Sequence, residues 1–125
     1  DIYGSQTLGD IVSALKIDHS GIEINHFQSN IEGELINAIQ TADADCDGIV
    51  INAGGYTHTS VAIRDAISGI NIPVIEVHMS NTASREEFRH TSLIAGVCLG
   101  SVAGFGSNSY DLAVRGLKTY LETSR

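Results

Sequence analysis

The sequence predicts an α/β fold, a parallel sheet sandwiched between helices, on three observations. Helix and strand patterns alternate along the whole chain. The apolar run DGIVINAGG, 47–55, has the pattern of a strand covered on both faces, and IPVIEVH, 72–78, supplies another buried strand. No repeat or low-complexity linker interrupts the order. Its 125 residues suit one domain, 1–125, with a single hydrophobic centre.

Thr7 is placed to cap a first helix whose apolar residues Leu8, Ile11, Val12 and Leu15 recur at helical spacing. Gly21 breaks that pattern, and IEINHFQ alternates with period two, which predicts a half-buried strand over Ile22 to Gln28. Ser29 or Asn30 caps a second helix with Ile31, Leu35, Ile36 and Ile39 on its apolar face, ending near Asp43. DGIVINAGG follows as a buried strand that turns at Gly54 and Gly55. A third helix runs from about Thr59 through Val61, Ile63, Ala66 and Ile67 to a stop at Gly69. IPVIEVH is the next strand, Thr82 to Arg89 a polar loop with one short helical turn, and IAGVCLGSV a further strand. Ser107 then caps a last helix carrying Tyr110, Leu112, Ala113, Leu117 and Leu121.

Seven basic against fifteen acidic residues give a net charge of -8, which repels phosphate backbones and anionic membrane faces, so no nucleic-acid partner is expected. The longest apolar run, Leu93 to Gly106, is glycine-rich, interrupted by Ser101 and too short to cross a bilayer. Cys46 and Cys98 stand alone, without a CxxC partner, and read as structural thiols in a reducing, cytoplasmic setting.

In wound parallel sheets ligands sit outside the carboxyl ends of the strands, which gathers NAGGYTHTS, VHMSN and GFGSNS on one edge. Glu76 and His78, two apart on a strand, face the same way. A carboxylate beside an imidazole holds its tautomer and favours its charged form, which makes His78 a competent general acid; a hydrogen-bonded core pair is the plainer alternative. Ser80 and the amide beside it sit in the following turn, suited to a carboxylate, and Arg85 and Arg89 can add positive charge over the same edge or simply be solvated. Asn52 ends the preceding strand, where the glycine pair permits a tight turn. His58 falls at a helix start, where the dipole disfavours protonation. Either residue also fits a purely local role. Arg64 and Asp65 read as surface charges or subunit contacts. None of the five histidines makes an i, i+4 pair or an HExxH motif, so no metal is expected.

Taken together, DIYGSQTL, FQSNIEGELI, DGIVINAGGYTHTSVAIRDAI, IPVIEVHMSNTASREEFRH and GFGSNSYDLAV resemble type II 3-dehydroquinate dehydratase, in order and over essentially the whole chain. The resemblance implies a flavodoxin-like doubly wound sheet, trimers grouped into a dodecamer, and conversion of 3-dehydroquinate to 3-dehydroshikimate by anti elimination through an enolate, with no cofactor. It implies Tyr3 as the base at C2, and His78 as the acid at the departing C1 hydroxyl with Glu76 supporting it. Met79 and Ser80 would hold the substrate carboxylate. Asn52, His58 and Arg89 would bind ring hydroxyls or neighbouring groups, and Asp65 would approach from an adjacent subunit.

A tyrosine base needs nearby cations, because its ordinary pKa is about 10. In the family an arginine on a lid before this tyrosine and an upstream asparagine assist, and both precede the first residue here, as does a first strand that lies inside a 2-1-3-4-5 sheet. The resemblance therefore carries the expectation of about 20 further residues upstream, enough for one strand and a turn.

Other readings of the fold fare less well. A flavin carrier would want aromatic faces, and there is no Trp and only three Phe and four Tyr. A receiver-type domain would want an aspartate where Asn52 stands and a lysine near the last strand. A homologue that keeps the shell without turnover fits the same residues.

Overall fold

The computed structural model describes residues 6–84 and 86–124. Helix α1, Leu8–Asp18, starts at Thr7, whose hydroxyl accepts from the Asp10 amide while the Asp10 carboxylate accepts from the Thr7 amide. This reciprocal box satisfies two amides that a helix start leaves without partners. Helix α2 spans Glu32–Asp45, β1 Ile49–Ile51, α3 Val61–Ser68, β2 Val74–His78, β3 Gly100–Ala103 and α4 Asn108–Thr123.

The three strands form one parallel sheet in the order β1-β2-β3. Alternation along β2 sorts the core into two layers. Val74 packs with Ile39 of α2 and with Ile63, Ala66 and Ile67 of α3 on one face. Ile75 and Val77 pack with Ala113 and Leu117 of α4 on the other. Burial on both sides explains the apolar run of β2, the central strand, whereas β1 is only half-buried. His19, buried at the end of α1, ties that helix to α4 through Asp111 at 2.7 Å.

The expected strand over Ile22 to Gln28 does not form. Its residues form no regular element, with Ile22 and Phe27 exposed, and no described strand lies beside them. Alternation selects which face a strand would bury, but only a ladder partner makes a strand. Between this segment and the edge of β1 that no described strand pairs lies a cavity of about 2130 Å³, lined by apolar residues that include Ile11, Leu15, Ile24, Ile39, Val50 and Leu117.

Smaller departures have local causes. Ile31, not Ser29 or Asn30, holds the N-cap position of α2 and offers no side-chain cap; the Ser29 hydroxyl accepts from the Ile31 amide instead, and the helix runs on to Asp45. IAGVCLGSV is a strand only in its second half, because Ala95–Val97 closes into a short 3-10 turn seeded by Ser92, whose hydroxyl accepts from the amides of Ile94 and Ala95. Ser107 stands at the N-cap of α4 without a side-chain cap bond, and the segment after β2 makes two short turns, Thr82–Ser84 and Glu87–His90, rather than one.

Candidate active site

The carboxyl ends of the strands bring the polar residues together. Glu76 is 2% exposed, and its Oε2 lies 3.0 Å from His78 Nε2. Two further groups donate to the same carboxylate: the Ser92 hydroxyl to Oε2 at 2.6 Å and the Ser101 hydroxyl to Oε1 at 2.5 Å. Burial by itself would raise the Glu76 carboxyl above its ordinary 4.5, yet the hydrogen bonds from His78, Ser101 and Ser92 and the charge on His78 outweigh it and bring the group down to about 2. The anion is therefore the stable form. Burial, and then the Glu76 charge, push the nearby Cys98 thiol up to about 12, which keeps it protonated.

His58 stands beside this pair. Its ring lies 6.4 Å from that of His78 with 22° between the planes, and 6.2 Å from the Phe88 ring, edge to face. A backbone carbonyl can only accept, so the 2.8 Å contact between His58 Nδ1 and Thr91 O fixes the proton on Nδ1 and turns Nε2 to the other side of the ring. The chain reaches His58 through a 3-10 turn, Gly54–His58, that Gly54 enters with φ +57. That left-handed start is where glycine carries no Cβ penalty.

Asn52 follows β1 and is pinned at both ends of its amide. Nδ2 donates to the Tyr110 hydroxyl at 2.9 Å, and Oδ1 accepts from the Gly54 amide at 3.1 Å. Met79 and Ser80 follow His78 in the turn beyond β2, both half-buried. That turn is held from the other side, because Gly104 and Gly106 donate to the carbonyls of His78 and Met79. Asn52, Gly54, Gly55, Met79 and Phe88 border the mouth of the large gap beside β1.

Of the residues singled out in the sequence, Glu76, His78 and His58 come together here, with Asn52, Met79 and Ser80 on the same edge. Asp65 lies apart, exposed on α3, and no hydrogen bond ties it to the Glu76 cluster. Tyr3, Arg85 and the side chain of Arg89 lie outside the described residues. Three members were missed: Ser92, Ser101 and Tyr110. Ser101 had a signal, since it is the polar interruption in an apolar run and pairs directly with Glu76 across the parallel ladder. Ser92 and Tyr110 arrive from a loop and a helix, where spacing says nothing about a distant strand.

Among the described residues no group of three or more His, Cys, Asp or Glu is placed to hold a metal ion, and no helix is long and apolar enough to cross a membrane. The arrangement can hold a protonated imidazole against a fixed anion at the carboxyl end of β2. Such a pair suits proton delivery to an oxygen leaving group.

Comparison with known proteins points the same way. The family model described as dehydroquinase class II matches residues 1–118. The 3-dehydroquinate dehydratase of Prochlorococcus marinus is 54% identical over 123 residues, covering 97% of this chain and 85% of the relative. That of Gloeobacter violaceus is 52% identical over 123 residues, covering 97% and 77%. The crystal structure of type II dehydroquinase from Butyrivibrio crossotus superposes with a TM-score of 0.89 at 43% identity, over 93% of this chain and 83% of that one.

Proposed function

Since the chain belongs to the class II dehydroquinase family and dehydrates 3-dehydroquinate in the shikimate pathway, we propose that Tyr3, His78 and Glu76 carry its elimination. Tyr3, as phenolate, takes a proton from C2 of 3-dehydroquinate, and the electron pair moves into the ketone as an enolate. As the enolate collapses, the C1–oxygen bond breaks, and the His78 imidazolium gives its proton to the departing hydroxyl, which leaves as water. The ring gains a C1–C2 double bond, His78 is left neutral, Tyr3 is left protonated, and solvent returns the proton from one to the other.

The observation that carries this reading is the 3.0 Å contact between His78 Nε2 and an ionised, buried Glu76. With Nε2–H given to the carboxylate, Nδ1 is the nitrogen that presents a proton to substrate. Met79 and Ser80 hold the substrate carboxylate in the turn after β2, and Asn52, His58 and Arg89 bind its ring hydroxyls or neighbouring groups.

The same reading includes a homo-oligomer, trimers grouped into a dodecamer, in which Asp65 reaches the site of an adjacent subunit. In support, Asp65 and Val61 are both exposed and sit four apart on α3, so that an apolar and an acidic group share one outward face. Cytoplasmic action fits the two free thiols, Cys46 and Cys98.

Adding 3-dehydroquinate and following the absorbance of the conjugated enone tests the assignment. Turnover should vanish in Tyr3→Phe while substrate still binds, and undiminished turnover in that variant would remove Tyr3 from its role.

A further inference from the structure

The Glu76 carboxylate accepts three hydrogen bonds, and two come from residues with no role assigned so far. Among the described residues His78 and Ser92 share Oε2, and Ser101 serves Oε1. The serines reach it from different elements. Ser101 is the in-register neighbour of Glu76 on β3. Ser92 sits in a loop anchored on either side of it. There the Thr91 carbonyl accepts from His58 at 2.8 Å, the Leu93 amide donates to Thr57 O at 2.8 Å, and the Leu93 carbonyl accepts from Arg64 at 2.7 Å.

We propose that Ser92 and Ser101 are positioning residues for the dehydration, acting through Glu76: their hydroxyls fix both carboxylate oxygens so that the anion stays locked on His78. This inference rests on Glu76 and His78 forming the acid side of the site. The argument from chemistry is that an ionised carboxylate can only accept, and a buried one needs donors on both oxygens. Hydroxyls supply them without adding positive charge, so the full negative charge remains to steady the imidazolium; a lysine in either place would cancel it. The other described groups around the pair are unsuited to the task. The Cys98 thiol stays neutral and is a weak donor, Ile51 opposite on β1 is apolar, His58 meets His78 and not the carboxylate, and Arg64 is committed to Leu93. Without the hydroxyls Oε1 loses its donor, the carboxyl titrates closer to its ordinary value, and the anion is free to turn away from His78.

The titration of Glu76, read beside kcat in the whole protein, tests this, with Ser101→Ala as the principal variant. Ser92 also seeds the Ala95–Val97 turn, so Ser92→Ala serves as the second variant, in combination with the first. The expected result is that the carbon-13 carboxyl signal of Glu76 titrates about one pH unit higher in Ser101→Ala and further in the double variant. In parallel kcat should fall several-fold while KM holds, and Ser101→Thr should restore both. A folded Ser101→Ala protein, judged by circular dichroism, that keeps the wild-type kcat and Glu76 titration overturns the inference. So does a fall in kcat with the Glu76 titration unmoved. Glu76→Gln run alongside separates the two levels: if it loses turnover while the serine variants show no shift, only the serine inference fails, and if it keeps wild-type kcat, the acid assignment beneath it fails too.

Discussion

His78 Nε2 stands 3.0 Å from Glu76 Oε2, two residues apart on β2, with the carboxylate almost wholly buried and the imidazole partly open. Strand geometry alone puts the two on one face. The hydrogen bonds from His78, Ser101 and Ser92, outweighing burial, hold the carboxyl as an anion. Glu76→Gln keeps the shape and one acceptor but removes the charge, so kcat should fall by about 10²-fold or more, the usual worth of a general acid, with KM little changed. Initial rates at saturating substrate decide it, and a wild-type kcat would refute the pairing.

Glu76 also couples stability to acidity. Its folded value of about 2 lies below the ordinary 4.5, so its contribution is complete above 4.5 and is lost as pH falls from 4.5 towards 2. Urea midpoints measured across that window should drop more steeply for the wild-type protein than for Glu76→Gln. Parallel curves would mean the carboxyl is not held ionised by folding.

A second buried pair lies away from the site. His19, 3% exposed, bonds Asp111, which also accepts from Arg115 Nε at 2.8 Å. Removing the acceptor leaves a buried ring nitrogen without a partner, so Asp111→Ala should cost about 1–3 kcal/mol in urea unfolding while leaving kcat of the folded enzyme intact. A wild-type midpoint would show that the link between α1 and α4 carries no weight.

Gly104 has φ +95 and donates its amide to the His78 carbonyl. A Cβ there would meet Asn81 at 3.5 Å, ordinary contact, so the cost of Gly104→Ala is conformational, about 1–2 kcal/mol, rather than steric. Thermal unfolding should register it, together with a lower kcat as the turn beyond His78 shifts. An unchanged melting temperature would argue against strain at this position.

The sequence made the fold legible where burial is two-sided or periodicity is long. The strand read in IPVIEVH and the helix read from about Thr59 to Gly69 both form, as Val74–His78 and Val61–Ser68, because apolar pattern and core position coincide there. Ile22 to Gln28 shows the limit: its alternation is real, but a ladder partner is not a property of the segment itself. For the site, Glu76 and His78 could be paired from spacing, and the resemblance supplied roles for Asn52, His58, Met79 and Ser80. Ser92 and Tyr110 were hidden, because their approach to Glu76 and Asn52 depends on how a loop and α4 pack across the sheet.

The division of labour between a base at C2 and an acid at C1 is tested most directly by hydrogen exchange in His78→Ala. Incubated in heavy water with 3-dehydroquinate, this variant should incorporate deuterium at C2 faster than buffer alone while forming almost no enone, since the base still makes the enolate but nothing protonates the leaving group. Enone appearing at the wild-type rate, or exchange no faster than in buffer, would contradict it.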